Sequence, residues 1–271
     1  SLGAWHALPG GMARDVLEAV ARGQSVDLAY DGALRASRTR ASEDSAPLAA
    51  IYLHGNFESR SKWVSVEHVR MLSTLLGLHV LVFDYRGFAD STGGPPSPDT
   101  LGEDAHAVVD WLEARGIPPS RVLLYGHSLG SGAATQLSLR LEAAGTPPFA
   151  AILEAPFYSL RAAALTFPAA LPLLALPGAH SLVLRSFMNG CRTGDAVAQL
   201  PTLPLLLLHG DDDTTVPIQH SVMLSRRVEA TRGRRASVPF RFEALHGCDH
   251  LQVLLHPRTL PTVSAFLRDV S

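Results

Sequence analysis

From residue 48 onward, short unbroken apolar runs alternate with longer stretches whose apolar positions recur every three to four residues. The runs Ala49 to His54, His79 to Phe83, Arg121 to Tyr125, Phe149 to Glu154, Pro204 to His209 and Val238 to Leu245 predict strands. The stretches Lys62 to Leu76, Pro98 to Arg115, Ser128 to Ala144, Ile218 to Glu229 and His256 to Asp269 predict helices. Strands and helices in alternation specify an α/β fold with a mostly parallel central sheet, because parallel neighbours need a crossover between them. Runs such as Ile51-Tyr52-Leu53 and Leu205 to Leu208 show no polar alternation, so helices are expected on both faces of the sheet.

Two regions depart from this pattern. Residues Ala155 to Leu200 are too long for one crossover loop and too broken by proline for one helix, which predicts a lid or cap inserted into a single domain spanning residues 1–271. Within it, Ala162 to Leu184 carries no charge and is long enough to cross a bilayer, but Pro168, Pro172 and Pro177 would free backbone groups into lipid. It therefore reads as an apolar insertion and not as a span. Residues 1–47 are polar, and the weak alternation around Val26 to Tyr30 predicts an N-terminal hairpin with a loose tip near Ser37 to Ser45.

Composition narrows the class. With 271 residues, 46% of them hydrophobic and 18% charged, the chain is no disordered tail and has material for a large core. A net charge of -2 leaves no electrostatic footprint for nucleic acid. The one basic concentration, Arg226, Arg227, Arg232, Arg234 and Arg235, reads as a solvated helix end and loop, with anionic lipid headgroups as the alternative. Cys191 and Cys248 are expected to be free thiols, and neither lies in metal-ligand spacing, so no metal or other cofactor is expected. The start, Ser1-Leu2-Gly3-Ala4-Trp5, has neither part of a signal peptide nor an initiator Met, and a preceding segment is expected.

The segment Gly126-His127-Ser128-Leu129-Gly130 sits between a predicted strand and a predicted helix, the context of a nucleophile elbow. A serine on so sharp a turn needs small neighbours, and a serine nucleophile needs a base oriented by an acid. In this architecture the acid and then the histidine follow later strands. Asp213 lies in the loop after Pro204 to His209, just before Val216-Pro217, and is the expected acid; Asp211 and Asp212 read as turn and cap residues. After the last strand comes Leu245-His246-Gly247-Cys248-Asp249-His250. His250, at the end of that loop, is the expected base, and His246 a turn or supporting residue. The backbone N-H of Leu129 is one expected oxyanion donor, and that of Asn56 the other, with Phe57 second to it; His54 reads as a brace for that loop.

These motifs together resemble the α/β-hydrolase superfamily, and within it the lysophosphatidylserine and monoacylglycerol lipases of the α/β-hydrolase domain-containing protein 12 type. The resemblance rests on Gly3-Ala4-Trp5-His6, Tyr52 to Asn56, Phe83 to Ser91, Gly126 to Gly130, Ile152 to Phe157 and His209 to Asp213. It implies the α/β-hydrolase fold, Ser128 as nucleophile, Asp213 as acid, His250 as base, and scaffold roles for Asp84 and Arg86. It also implies a membrane-associated parent protein, of the endoplasmic reticulum, anchored by a segment that this chain lacks; the chain alone reads as a soluble domain. Phe57-Glu58 stands where small residues are usual after His-Gly-Asn, and Ala89 where glycine is usual.

The expected activity is hydrolysis of a carboxylic ester of a single-chain lipid, a monoacylglycerol or a lysophospholipid, through an acyl-enzyme. The uncharged insertion suits an acyl chain, and a membrane surface is a further expected partner. A thioesterase acting on S-acylated proteins uses the same three residue types, and a non-catalytic lipid-binding domain could keep the fold.

Overall fold

Residues 1–40, 49–166, 191–233 and 237–271 are described in the computed structural model. Chain order through them is β1 (Ala4–Ala7), α1 (Gly10–Ala21), α2 (Val26–Arg40), β2 (Ala49–Leu53), α3 (Trp63–Arg70), β3 (His79–Phe83), α4 (Pro98–Glu113), β4 (Val122–His127) and α5 (Leu129–Ala143). It continues through β5 (Ala150–Glu154), α6 (Leu160–Thr166), α7 (Thr193–Ala198), β6 (Leu205–Gly210), α8 (Gln219–Arg232), β7 (Phe240–Leu245) and α9 (Thr259–Val270).

Among the described residues seven strands form one sheet in the order β1-β3-β2-β4-β5-β6-β7. Only β1 is antiparallel, pairing Ala4 with Phe83 at the edge; the other pairings are parallel. The chain steps from β2 to β3 in one direction and back across β2 to β4 in the other. The segments between them pack on opposite faces, α4 with the Leu53 cluster and the turn after α3 with the Tyr52 cluster, and the strand order reverses between the carboxyl ends of β2 and β4.

The unbroken apolar strands are explained by their two faces. Ile51, Leu53, Leu124, Leu153, Leu205 and Leu207 join one buried cluster, whereas Ala50, Tyr52, Leu123, Ile152, Leu206 and Leu208 join the other. Five of the strands, β2 to β6, are buried at every position.

The N-terminal residues are not the expected hairpin. β1 is a lone strand, and Val26 to Tyr30 lies within α2, where Ala29 and Leu34 are buried. An alternation over five residues cannot be told from the start of a helical period, and here the helical period prevails. The helix expected over Lys62 to Leu76 is α-helical only to Arg70 and continues as a π-helical turn, Met71–Leu75. The basic cluster is also corrected in part. Arg226 and Arg227 are exposed, but Arg232 is buried and its guanidinium donates to the carbonyls of Leu203, Val238 and Pro239. Arg234 and Arg235 lie outside the described residues, as does most of Ala162 to Leu184. Among the described residues no helix is long and apolar enough to cross a membrane.

The first turn of α5 presses against β2. A Cβ on Gly130 would lie 1.8 Å from the Leu53 carbonyl oxygen, and one on Gly126 would lie 2.3 Å from the carbonyl oxygen of Gly130. Replacing Gly130 with Ala is expected to cost about 3 kcal/mol or more, at the upper end of overpacking penalties, since backbone must move. Urea unfolding would show this as a lowered midpoint, and an unchanged midpoint would contradict the close approach.

Candidate active site

Ser128 joins β4 to α5 with φ 50° and ψ -112°, a left-handed conformation that a side chain adopts only when its surroundings enforce it. The enforcement is visible in the backbone. The Ser128 N-H donates to the carbonyl of Glu154 on β5 at 2.9 Å, and the Ser128 carbonyl accepts from the N-H (2.9 Å) and hydroxyl (2.6 Å) of Ser131. The turn leaves the Ser128 hydroxyl at the carboxyl edge of the sheet, where the loops after β6 and β7 arrive.

Those loops bring the other two expected residues within reach. The Ser128 hydroxyl lies 2.9 Å from His250 Nε2, and His250 Nδ1-H donates to Asp213 Oδ2 at 2.6 Å. Asp213 Oδ1 accepts from the N-H groups of Thr215 and Val216, both at 2.8 Å, so the carboxylate is fixed on both oxygens. Burial alone would raise its pKa, but the hydrogen bonds from His209, His250 and Val216 outweigh it and hold the carboxyl well below its usual range. Asp213 is therefore ionised at neutral pH and keeps a proton on His250 Nδ1, leaving Nε2 to face the serine.

Asp211 and Asp212 shape turns, in keeping with their expected roles. Asp211 accepts from His246 Nδ1 at 2.7 Å and from the Gly247 N-H at 2.8 Å, tying the β6 and β7 loops together at the surface; the Asp212 N-H donates to Cys248 O. His246 is exposed and makes no approach to Ser128 in the contacts of the described residues, which place His250 there instead.

The expected oxyanion donors share one edge. β2 and β4 are parallel neighbours with Leu53 opposite Gly126, so Asn56 and Leu129 follow adjacent strand ends. Leu129 opens α5, where first-turn amides have no partner inside the helix. Phe57, beside Asn56, takes φ 59° and is exposed. The loop is anchored by Arg60, whose guanidinium engages Asp84 and Asp90 and whose N-H donates to Asp84 Oδ1 at 2.7 Å. His54 Nδ1 donates to Gly55 O at 2.8 Å, a brace as expected. Arg86 donates from its backbone N-H and Nε to Asp104, so Asp84 and Arg86 both hold loops in place. Ala89, where glycine is usual, carries φ 43°.

The roles of several polar residues near the site escape a reading of the sequence alone. His209 Nε2-H donates to Val216 O at 2.7 Å and lies 3.2 Å from Asp213 Oδ2, so it fixes the acid's loop. Glu154 is fully buried beneath the elbow, accepting from His68 Nε2 at 2.9 Å and from the Tyr125 hydroxyl at 2.5 Å. Glu58 Oε1 lies 2.8 Å from Nδ1 of buried His127. The signals were a carboxylate closing an apolar strand (Glu154), a histidine on the apolar face of a helix (His68) and the unusual Phe57-Glu58 pair.

Among the described residues no cluster of His, Cys, Asp and Glu could hold a metal ion. Cys191 and Cys248 are buried free thiols, and burial pushes their pKa values up to about 12 and about 11. Native protein at pH 7.5 is therefore expected to resist iodoacetamide over hours and to take up two equivalents once unfolded. Rapid alkylation of the native protein would contradict their burial.

A parallel sheet with a strained serine at the reversal of strand order, and with His and Asp on later loops, defines a class of hydrolase. The chain belongs to the alpha/beta hydrolase family, whose model matches residues 50–260. Its relatives include Protein ABHD12B of Homo sapiens, 36% identical over 98% of this chain, and Lysophosphatidylserine lipase ABHD12 of Danio rerio, 34% identical over 99%. Lysophosphatidylserine lipase ABHD12 of Mus musculus is 36% identical over 80% of this chain. The chain spans 69%, 66% and 50% of the lengths of these three. Among solved structures it is similar to the esterase Pf2001 of Pyrococcus furiosus, with TM-score 0.62 and 20% identity over 82% of this chain and 83% of that one. It is also similar to Est1E of Butyrivibrio proteoclasticus with ferulic acid bound, with TM-score 0.62 and 17% identity over 99% of this chain and 93% of that one. At these identities the two structures speak to the fold alone.

Proposed function

We propose that the protein is a serine hydrolase that cleaves the carboxylic ester of a single-chain lipid, a lysophospholipid such as lysophosphatidylserine or a monoacylglycerol. The observation that carries this reading is the hydrogen-bonded series Ser128 Oγ, His250, Asp213, at 2.9 and 2.6 Å, set on a strained elbow. The lipid class is supported by the relatives named lysophosphatidylserine lipase and by the uncharged stretch Ala162 to Leu184 in the sequence between β5 and β6.

In this reading Ser128 Oγ bonds to the ester carbonyl carbon as its proton passes to His250 Nε2. Asp213 stabilises the imidazolium through Nδ1-H, and the carbonyl electron pair moves onto oxygen, facing the N-H groups of Asn56 and Leu129. Collapse breaks the acyl C-O bond, and His250 returns the proton to the glycerol oxygen that leaves. Water then repeats the sequence on the acyl-serine and frees the fatty acid. The lipid is drawn from a membrane surface.

Replacing Ser128 with Ala is expected to lower turnover at least about 10³-fold while leaving the unfolding free energy within about 0.5 kcal/mol of wild type. The measurement is ester hydrolysis over a panel of lysophosphatidylserine, other lysophospholipids, monoacylglycerol and an acyl-cysteine peptide. Activity retained by Ser128→Ala would overturn the assignment, and preference for the acyl-cysteine peptide would turn the reading to a thioesterase.

A further inference from the structure

His127, the residue before the serine, has its side chain in the protein interior. It follows Tyr125 on the same face of β4, and its side chain is buried, 1% exposed. Its two nitrogens reach two different loops. Nδ1 faces Glu58 Oε1 at 2.8 Å, an approach oblique to the N-H direction and so an ion pair more than a straight hydrogen bond. Nε2-H donates to the backbone carbonyl of His250 at 3.1 Å, and the two imidazole rings lie 5.0 Å apart.

Both partners accept and neither can donate, since a carboxylate and a peptide carbonyl carry no proton. The ring satisfies both only with a proton on each nitrogen. One side chain on the nucleophile's own strand thus joins the loop that carries Asn56 to the loop that carries His250. Glu58 is 9% exposed and lies against Gly55, where an added Cβ would meet Glu58 Oε1 at 2.6 Å.

We propose that Glu58 and His127 are positioning residues for His250: the carboxylate holds His127 as an imidazolium, and the imidazolium holds the His250 backbone in the place from which its ring reaches Ser128. This rests on the serine-hydrolase reading above. Other charged and titratable groups around His127 are Glu154 on β5, His68 on α3, whose ring centroid is 6.1 Å away, and His250 itself; Tyr125 precedes it on β4, and Tyr52 on β2 stacks on His68. Burial opposes charge on His127, but Glu58 and then Glu154 outweigh it and raise its pKa to about 9.

The consequence is a pH dependence that Ser128, His250 and Asp213 alone do not produce. The raised value means that the imidazolium persists below about pH 9 and is lost above it. The one proton left then stays on Nδ1, against the Glu58 carboxylate, and the bare Nε2 faces the His250 carbonyl. The contact turns repulsive and His250 loses its seat. With no carboxylate at position 58, a neutral ring keeps its proton on Nε2, and a link survives at every pH that is weaker than the charge-assisted one.

The test measures kcat for a short-chain p-nitrophenyl ester from pH 7 to 10.5, corrected for spontaneous hydrolysis, in wild type, Glu58→Gln and Glu58→Ser, with circular dichroism at each pH and fluorophosphonate labelling at pH 7.5. Wild type is expected to lose about tenfold between pH 7.5 and 10, as a single group titrating near 9 requires. Both variants are expected to start several-fold lower at pH 7.5 and to change less than about twofold over the same range. A flat wild-type profile overturns the proposal without any variant, as does the same alkaline loss in wild type and variants that all label. Failure of folded wild type to label at pH 7.5 overturns the serine-hydrolase reading, and the positioning role with it.

Discussion

The site depends on how closely α5 approaches β2. With no side chain on Gly130, the helix start rests against the Leu53 carbonyl, and the chain enters that helix from β4 through the left-handed turn at Ser128. Several features follow from that one contact. The Ser128 hydroxyl is lifted to the sheet's carboxyl edge, its N-H is handed to Glu154 O on the next strand, and His127 is turned inward. The strain of φ 50° is of order 1–3 kcal/mol, and the backbone hydrogen bonds on both sides of Ser128 hold it in place.

Inside that edge the protein keeps carboxylates that a nonpolar interior would reject, and each is matched to histidine. Asp213 faces His250 and His209, Glu154 faces His68, and Glu58 faces His127. A buried carboxylate left without its partner costs about 3–5 kcal/mol, so these pairs act as rigid joints between loops that are remote in sequence. The loops after β2, β4, β6 and β7 are thereby fixed relative to one another, as a near-attack geometry requires.

The parts of this arrangement that could be read from the sequence are those carried by contiguous signals. An unbroken apolar run followed by Gly-x-Ser-x-Gly and a helical period shows both the strand and the serine. The loops with Asp213 and His250 stand out because each directly follows a buried strand. The links among Glu58, His127 and the His250 carbonyl are of another kind. They depend on β2 lying beside β4 and on which face of β4 His127 occupies, and neither is local. The N-terminal helices were hidden for a different reason. In α1, Met12, Val16 and Val20 recur at helical spacing, but Pro9, Gly10 and Gly11 at its start argue for a turn. Arg232 shows the converse: a basic residue among exposed arginines is drawn inside, where its guanidinium donates to the carbonyls of Val238, Pro239 and Leu203 at the start of β7 and before β6.

The central claim is that an acyl group passes through Ser128. It is tested most directly by quenching the protein in acid during turnover of a lysophospholipid and mapping peptides by mass spectrometry. The account predicts one fatty-acyl adduct on the peptide containing Ser128, formed before free fatty acid reaches its steady rate and absent from an unreacted control. Steady release of fatty acid with no acyl mass on that peptide, or with the adduct on another residue, would contradict it.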